Sequence, residues 1–217
     1  YKDIAPAVRH FVFEVPEVRR LEFEPGQFVS LTDEVGGKPV TRAYSVCSAP
    51  QGNRFELCLN RVPNGAFTPH LFDLRPGDSV PVQGPLGFFT LREPLSDSIF
   101  VATGTGIAPF RAMLQDPRLW SSSFEFTLIF GARYEHGLLY REEFEALERK
   151  HGNFHFWPVL SRPAESWQGR TGHVQPYILE AVGQRRDLDV YICGLKAMVD
   201  DVRQMLKEIG FERRRLI

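Results

Sequence analysis

A glycine-rich turn near the middle of the chain has residue types that suit a phosphate group. It reads Val101-Ala102-Thr103-Gly104-Thr105-Gly106-Ile107-Ala108-Pro109-Phe110 and separates an apolar run from a helical pattern. Gly104 and Gly106 let the backbone approach a pyrophosphate without an intervening side chain, and the free N–H groups of a following helix favour anions. Pro109 suits a helix start but stands where the standard dinucleotide motif has its third glycine. The turn is therefore either a dinucleotide site or a tight strand–helix connection without a ligand.

A second segment, Arg42-Ala43-Tyr44-Ser45, has side chains that can hold a ring system with a diphosphate tail. An arginine pairs well with pyrophosphate oxygens. Tyr44 lies two residues further on and therefore on the same strand face, where its ring can lie against a flavin. The Ser45 hydroxyl is small and can reach a ring nitrogen. The alternative is an ordinary strand with an exposed arginine and a packed tyrosine.

A third segment, Gly65-Ala66-Phe67-Thr68-Pro69, reads as a helix start with Thr68 as the N-cap and Pro69 as the first helical residue. The N–H groups of such a helix start form an anion site. We predict a pyrophosphate held between Arg42 and this helix start, and a plain capped helix is the alternative.

The chain divides into two regions that must position these segments. The first region consists of short apolar runs separated by turn signals. This pattern predicts a small antiparallel Greek-key β-barrel with one short helix. The predicted strands are 8–15, 27–32, 41–47, 55–62 and 79–83, the helix is 69–74, and Gly84-Pro85-Leu86-Gly87 is a turn.

The second region alternates apolar runs with helical patterns. The runs 98–103, 124–130, 154–160 and 190–193 are almost continuously apolar, as in strands buried on both faces, and the helical patterns are 107–115, 140–150, 174–182 and 197–209. This alternation predicts an α/β domain with a parallel sheet. We therefore predict a flavin-binding barrel domain at 1–94 and a nucleotide-binding domain at 97–217, joined by Glu93-Pro94-Leu95-Ser96.

Composition narrows the class of protein. The 217 residues are 43% hydrophobic and 24% charged, with a formal net charge of −1, so no strong field favours nucleic acid. No apolar run approaches the roughly 20 residues of a membrane helix, and we expect no signal peptide. Cys47, Cys58 and Cys193 suit a reducing cytoplasm rather than a disulfide framework. An iron–sulfur cluster would need four closely grouped thiolates, which these three cysteines cannot supply. His151 and His155 are four residues apart, but Gly152-Asn153 breaks any helix that would align them, so we expect no metal site.

Taken together and in this order, the segments resemble the ferredoxin–NADP⁺ reductase superfamily over essentially the whole chain. Arg42-Ala43-Tyr44-Ser45 is similar to its flavin motif, and residues 57–62 and 65–68 are similar to its flavin-diphosphate segments. Gly84-Pro85-Leu86-Gly87 resembles its barrel-closing turn. Residues 104–111, 138–144 and 193–196 resemble plant-type pyridine-nucleotide segments.

The resemblance implies an oxidoreductase with an FAD-binding barrel followed by an NADP-binding domain. We expect it to be a cytoplasmic monomer. The resemblance further implies that nicotinamide C4 gives a hydride to flavin N5, and that the flavin then releases single electrons to a ferredoxin, a flavodoxin or a similar small redox protein. Ser45 and Cys193 match residues that flank and orient the nicotinamide, so they are the catalytic candidates. The other candidates from the family's cofactor-binding segments are Arg42, Ala43, Tyr44, Leu59, Asn60, Arg61, Gly65, Ala66, Phe67, Thr68, Thr103, Gly104, Thr105, Gly106, Ile107, Ala108, Pro109, Gly194, Leu195 and Met198.

The resemblance also implies NADPH rather than NADH. A 2′-phosphate needs cations and hydroxyls, whereas an NADH site usually offers a carboxylate, and the second strand here ends in Gly131-Ala132-Arg133. The family's phosphate-binding serine and arginine match Ser161 and Arg162, and bacterial members have a second arginine like Arg170. Pro163 replaces an acidic residue that often follows. Two solvated arginines in a surface loop are the alternative.

The chain departs from the family near its ends. Plant-type members finish with an aromatic residue over the flavin ring, but nothing aromatic follows Phe211, and residues 213–217 read as the start of a strand. We therefore expect the natural protein to be longer at both ends. The region after Pro50 lacks an adenosine-holding insertion, yet Gly65-Ala66-Phe67-Thr68 favours FAD over FMN.

Two other functions stay open from the sequence. One is an NADH-using reductase component of a multicomponent oxygenase, with any iron–sulfur cluster on a separate protein. The other is a non-catalytic electron-transfer subunit that keeps the flavin without nucleotide turnover. Family members of that second kind have extra cysteines near the C-terminus, which this sequence lacks.

Overall fold

The computed structural model describes all 217 residues, which divide into two units. The first unit comprises Tyr1–Leu91 and Ala108–Asp116, and the second comprises Arg92–Ile107 and Pro117–Ile217. None of the helices combines the length and the apolar character that crossing a membrane requires.

Antiparallel strands build the first unit, as the sequence predicts. They form two three-stranded sheets, ordered β1-β2-β5 and β4-β3-β6, and a bridge between Val46 and Leu57 connects the segment after β4 to β5. The elements are β1 (Lys2–Ala5), β2 (Val8–Glu14), β3 (Phe28–Val35), β4 (Lys38–Ser45), β5 (Arg54–Asn60), α1 (Thr68–Asp73), β6 (Val82–Leu86) and α2 (Ala108–Met113).

The core of this unit follows from strand alternation. Phe55, Leu57 and Leu59 on β5 are all at most 2% exposed, because side chains two residues apart share the inner face of the strand. Leu31 of β3 and Leu71 of α1 are completely buried in the same cluster. The short helix therefore covers the apolar interior between the two sheets.

Three predicted strands differ from the observed ones for local reasons. β3 and β4 are longer than predicted, because Gly36 and Gly37 take positive φ values of 61° and 73° and form a two-residue hairpin turn. The predicted strand 79–83 is instead β6 at Val82–Leu86, so the predicted turn 84–87 lies largely inside a strand. β6 is an edge strand, where a proline and a register irregularity are tolerated. Strand β1 was not predicted at all.

The second unit contains the predicted parallel sheet, with strands in the order β10-β9-β8-β7-β11. Its elements are β7 (Ser98–Thr103), α3 (Pro117–Ser121), β8 (Phe126–Ala132), α4 (Arg141–Lys150), β9 (Phe154–Leu160), β10 (Arg170–Thr171), α5 (Gln175–Val182), β11 (Asp189–Cys193) and α6 (Lys196–Glu208). After α6, Leu216 and Ile217 pair in parallel with β11.

Both faces of this sheet are covered, which explains the continuous apolar runs. Ile99 and Val101 of β7 belong to a core cluster with residues of α5 and α6, such as Ile178 and Val202. Phe100, between them in sequence, points to the other face and lies 5.2 Å from the ring of Tyr191. The sheet grows from β7 through β8, β9 and β10 in one direction and places β11 on the other side of β7. The strand order therefore reverses between β7 and β11, the place where open parallel sheets bind ligands.

A partly buried ion pair fixes α2 to the strands of the first unit. A guanidinium nitrogen of Arg111 donates to Glu56 Oε2 at 2.7 Å and to the Cys47 carbonyl at 2.8 Å, and the Arg111 side chain is only 15% exposed. His10 Nε2 lies 3.5 Å from the same carboxylate oxygen, and burial lowers the pKa of His10. The side chains of His10, Cys47 and Glu56 are close enough to surround a cation. Arg111 already neutralises the carboxylate, so this cluster is an ion-pair network.

Arg111→Leu is expected to lower the free energy of unfolding by about 2 kcal/mol. Removing one partner of a buried ion pair costs about 3–5 kcal/mol, and the partial exposure of Glu56 reduces this figure. Urea denaturation of the holoprotein measures the effect. Arg54→Ala is the matched control, because Arg54 and Glu14 form an exposed pair, and it should change stability by less than about 0.5 kcal/mol. Equal stabilities of the two variants would contradict the assignment.

Candidate functional site

The glycine-rich turn lies at the carboxyl end of β7, beside the reversal in strand order. Gly104–Ile107, which includes Thr105, forms a 3-10 turn rather than the first turn of an α-helix. Gly104 has a φ of 55°, and a Cβ built on it would meet nothing within 4 Å. The backbone therefore requires glycine at this point while the space above it is free for a ligand. Ala108 and Pro109, also predicted to bind nucleotide, are buried residues at the start of α2 in the first unit.

The ends of β7 and β11 interlock through glycines. A Cβ on Gly106 would collide with the Cys193 carbonyl, and a Cβ on Gly194 would collide with Thr103 Oγ1. The same hydroxyl oxygen accepts the Leu195 N–H at 3.1 Å. The structure therefore brings two distant motifs of the sequence, at 103–106 and 193–195, together at one edge of the sheet.

Cys193 is held in this edge as an uncharged thiol. It ends β11 and is partly exposed, and burial raises the pKa of its thiol to about 11. Met198 lies behind it, 8% exposed in the core cluster and close to Gly194. Cys193 is therefore a neutral, polarisable group at the edge of the sheet, and Met198 packs against the backbone at Gly194.

The predicted phosphate-binding residues lie at the carboxyl ends of β8 and β9. The Ser161 N–H donates to the Ala132 carbonyl at 2.9 Å and the Arg162 N–H to the Arg133 carbonyl at 2.8 Å, so the pairing of β8 with β9 continues one residue further. Arg133 and Arg162 are both exposed. Sequence reasoning noted that no acid follows β8 but missed Arg133 as a cation, because its neighbour Arg162 is distant in the chain.

Arg170 has a different environment from Arg162. It lies in β10, and its guanidinium carbon lies 3.9 Å from the centre of the Trp157 ring. A guanidinium nitrogen, Nη2, lies 3.5 Å from Glu180 Oε1. These contacts already engage its charge, so Arg133 and Arg162 are the pair that is free to meet an anion.

The flavin motif lies on β4, which pairs with β3 throughout its length. The Tyr44 ring stacks near Phe67, with 6.3 Å between centroids and 18° between planes. Burial raises the pKa of Tyr44 to about 12. Arg42 is exposed, and its guanidinium donates only to the neighbouring Thr41 carbonyl at 2.8 Å. Ser45 at the strand end is partly exposed, and Ala43 is exposed.

The predicted N-cap at Thr68 is wrong. α1 begins at Thr68 itself, Phe67 precedes it without a capping side chain, and the Thr68 hydroxyl accepts the Val62 N–H at 2.8 Å. Threonine therefore closes the loop before the helix instead of satisfying a helical N–H. With six residues, α1 is also too short to support the predicted helix-end anion site.

An open cavity of about 530 Å³ lies beside this loop instead. Its lining includes Arg61 and Gly65, which the sequence assigned to the diphosphate segments, together with Ala7 and Asn64, which it missed. Ala7 and Asn64 have φ values of 58° and 60°, unusual for residues other than glycine. Such backbone conformations often accompany binding sites. Ala66 and Asn60 are exposed nearby in the sequence, whereas Leu59 and Phe67 are core residues.

Each unit contains one buried side-chain oxygen without a hydrogen-bond partner, Tyr44 Oη in the first and Gln175 Oε1 in the second. Buried polar atoms are normally paired, so such an atom is a sign of a missing ligand. Tyr44 belongs to the flavin motif. Gln175 begins α5, next to Val174, which packs against Gly131 at the end of β8. The residues present therefore fit a flavin in the first unit and a dinucleotide in the second.

An antiparallel flavin-type unit followed by a parallel dinucleotide-type unit defines a class of two-cofactor oxidoreductases. The family model of the oxidoreductase FAD-binding domain matches residues 1–91, and that of the oxidoreductase NAD-binding domain matches residues 100–204. The two matches fall on the regions that the sequence assigned to flavin and to nucleotide.

Individual relatives agree with these matches. The chain is 39% identical to ferredoxin–NADP reductase B of Sorangium cellulosum (strain So ce56), over 98% of this chain and 91% of that protein. It is 33% identical to the toluate 1,2-dioxygenase electron transfer component of Pseudomonas putida, over 90% of this chain but only 57% of that protein. The solved ferredoxin NADP⁺ reductase of Neisseria gonorrhoeae, with bound FAD and NADP, has a TM-score of 0.82 and 27% identity, covering 98% of this chain and 92% of that one.

The chain therefore belongs to the ferredoxin–NADP⁺ reductase superfamily. It is a flavoprotein oxidoreductase with an FAD-binding domain and a nicotinamide-dinucleotide-binding domain, and it serves electron transfer.

Proposed function

We propose that this protein transfers a hydride from NADPH to FAD and then passes electrons one at a time to a small redox protein of the ferredoxin or flavodoxin kind. The choice of NADPH rests mainly on Arg133 and Arg162, two exposed cations that are neighbours at the ends of β8 and β9. The end of the second strand is where an NAD site usually has a carboxylate for the ribose. The name of the Sorangium cellulosum relative supports the same choice.

The chain's own residues supply binding and orientation. When bound, the flavin supplies the ability to accept two electrons together and release them singly. Arg42 and the cavity beside Arg61 would hold the diphosphate in the first unit, and the Tyr44 side chain would contact the flavin ring. In the second unit, the turn at Gly104 and Gly106 would hold the dinucleotide pyrophosphate, because the space above Gly104 is free. Ser45 and Cys193 orient the nicotinamide.

A reductase component that uses NADH is the second candidate, because the Pseudomonas putida relative is an oxygenase electron transfer component and Arg170 is engaged by Glu180. Steady-state ferricyanide reduction with NADPH and with NADH separates the two candidates. A higher kcat/KM with NADPH supports the proposal, and a higher value with NADH favours the second candidate. Flavin released on denaturation, identified by chromatography, tests FAD against FMN.

Arg42→Ala is expected to weaken FAD binding at least tenfold. A charge-assisted hydrogen bond to a phosphate contributes about 1.5–3 kcal/mol, and Arg42 has only a backbone carbonyl as its partner within the chain. Fluorescence titration of the apoprotein with FAD measures the dissociation constant. Arg54→Ala, an exposed arginine on β5 of the same unit, is the control and should keep the wild-type affinity. Unchanged affinity in Arg42→Ala would contradict its role.

A further inference from the structure

The turn that follows β6 presents a phenylalanine ring entirely to solvent. Phe88 is 99% exposed, whereas the other large apolar side chains at the surface are 36–70% exposed. The next residue, Phe89, packs inward instead, with its ring centroid 5.8 Å from that of Phe110. A ring that stays in water gains no stabilisation from burial when the chain folds. The whole ring of Phe88 is therefore available to a partner, and aromatic side chains are frequent anchors of protein interfaces.

Beside this ring lies an open groove of about 410 Å³, between the segment 22–27 and the turn 87–90. The Gln27 side chain joins the two walls: its amide nitrogen donates to the Gly87 carbonyl at 3.1 Å, and its amide oxygen accepts the Glu24 N–H at 2.9 Å. Gly87 has a φ of 95°, and a Cβ built on it would lie 2.8 Å from the Phe28 ring. Because both walls are already held in place, a partner that binds in the groove need not order them first.

The groove lies at the end of the sheet where the flavin motif ends. Phe28 of β3 pairs with Ser45 of β4 on one side and with Leu86 of β6 on the other. Two strand spacings, roughly 10 Å, therefore separate Ser45 from Leu86, and Phe88 follows Leu86 by two residues. Electron transfer between proteins requires a short separation of the two redox centres. A protein that docks on Phe88 would be close to a flavin ring bound at Ser45.

Two carboxylates border the groove, and its lining contains no cation. Glu22 and Glu24 are both exposed. Arg20 pairs with Glu22 at 2.7 Å, but these side chains are 69% and 71% exposed, so the pair is weak in water. The groove therefore favours a partner with a cationic border. A second copy of this chain fits poorly, because a two-fold interface around Phe88 would bring identical carboxylates together.

We infer that Phe88 and the groove beside it dock the electron-accepting protein, through a face of that protein with an apolar depression bordered by lysine or arginine. This inference rests on the proposed function, because it names the surface through which the electrons leave. Interfaces between electron-transfer partners are small and weak, so one aromatic anchor with a charged border is sufficient. Phe88 fixes the position of the partner, and Glu22 and Glu24 accelerate its approach.

Cytochrome c is the probe for this site, because its exposed haem edge is apolar and surrounded by lysines. Phe88→Ser should lower kcat/KM for the NADPH-driven reduction of cytochrome c roughly tenfold, with an unchanged dependence on ionic strength. Glu24→Gln should lower it roughly threefold at low salt and flatten that dependence. Ferricyanide is a small acceptor that needs no docking surface, so both variants should reduce it at the wild-type rate.

Two matched variants control for the loss of an apolar or an acidic side chain. Val12→Ser removes a side chain that is 51% exposed on β2, in the other sheet of the unit. Glu34→Gln removes an exposed carboxylate near the opposite end of β3 from Phe28. Both should reduce cytochrome c like the wild type.

Isothermal titration of the holoprotein with oxidised cytochrome c at low ionic strength gives a readout that is independent of turnover. Phe88→Ser should raise the dissociation constant by about the same factor by which it lowers kcat/KM. Wild-type affinity and rates in Phe88→Ser would overturn the docking site and leave the proposed function intact. So would a wild-type protein that reduces ferricyanide but not cytochrome c.

Sedimentation velocity tests the other occupant of the groove. A wild-type dimer that Phe88→Ser dissociates would assign the ring to a second copy of the chain and overturn the proposal, whereas a monomer in both supports it. A wild-type protein that reduces neither acceptor with NADPH would overturn both the docking site and the proposed function.

Discussion

Replacing Cys193 by serine or Ser45 by valine is expected to slow flavin reduction about a hundredfold, while fold and flavin content stay nearly unchanged. Hydride transfer depends steeply on the distance and angle between the reacting atoms, and a displacement of ~1 Å can cost about a hundredfold. Cys193 is fixed by the close approach of Gly106 to its carbonyl and of Gly194 to Thr103. A side chain of different size or polarity would therefore shift the nicotinamide rather than the strand.

Stopped-flow reduction by excess NADPH measures this effect, and the flavin absorbance of each variant controls for cofactor content. The pH profile adds a second check. Burial raises the pKa of the Cys193 thiol to about 11, so the thiol stays uncharged throughout the neutral range. The wild-type rate should therefore show no titration of this thiol between about pH 6 and pH 9. Wild-type rates in both variants would show that neither residue orients the nicotinamide.

The double variant Arg133→Ala/Arg162→Ala is expected to raise the KM for NADPH about a hundredfold and to leave the KM for NADH almost unchanged. Each arginine–phosphate contact contributes about 1.5–3 kcal/mol, and the exposure of both side chains places them near the lower end. This amounts to roughly tenfold for each arginine.

Arg149→Ala, on the exposed part of α4, is the control and should match the wild type. Arg170→Ala should affect NADPH less than Arg162→Ala does, because Arg170 is already engaged by Trp157 and Glu180. An equal loss of NADPH and NADH activity in the double variant would contradict the phosphate site. So would a wild-type enzyme without preference for NADPH.

Much of the second unit could be predicted because the burial of its strands is visible in the apolar character of their own sequence. Ser98–Thr103 is a strand buried on both faces, and such strands are almost continuously apolar. The glycines of the dinucleotide turn could be recognised for the same reason, since Gly104 needs its φ whatever surrounds it. Features of this kind depend on a few neighbouring residues.

The features that the sequence did not predict depend on residues far apart in the chain. Arg133 is a phosphate-site candidate only because β8 pairs with β9 and places Arg162 beside it. Thr68 fits the N-cap rule, but its hydroxyl binds the Val62 N–H of the preceding loop instead. Pro85 is accepted in a strand because β6 has a neighbour on one side only. Pairing partners of this kind are set by the tertiary structure, so local propensity alone could not identify them. The Gly36–Gly37 hairpin is the exception, since its two glycines are a signal visible in the sequence.

The two flanks of the parallel sheet affect how readily the protein self-associates at high concentration. On one side β10 is only two residues long. On the other, the Ile217 N–H donates to the Val190 carbonyl and the Ile217 carbonyl accepts the Ile192 N–H. A sheet recruits foreign chains through long, unsatisfied outer strands, and it becomes a template for fibrils in the same way. β10 covers only Val159 and Leu160 of β9, but on the rest of this strand the Phe156 N–H donates to the Glu148 side chain at 2.8 Å and Pro158 has no N–H, so few donors are left to pair with another chain. The central strands of this unit, although among the most apolar segments of the sequence, are therefore protected from strand-by-strand self-association while the unit stays folded.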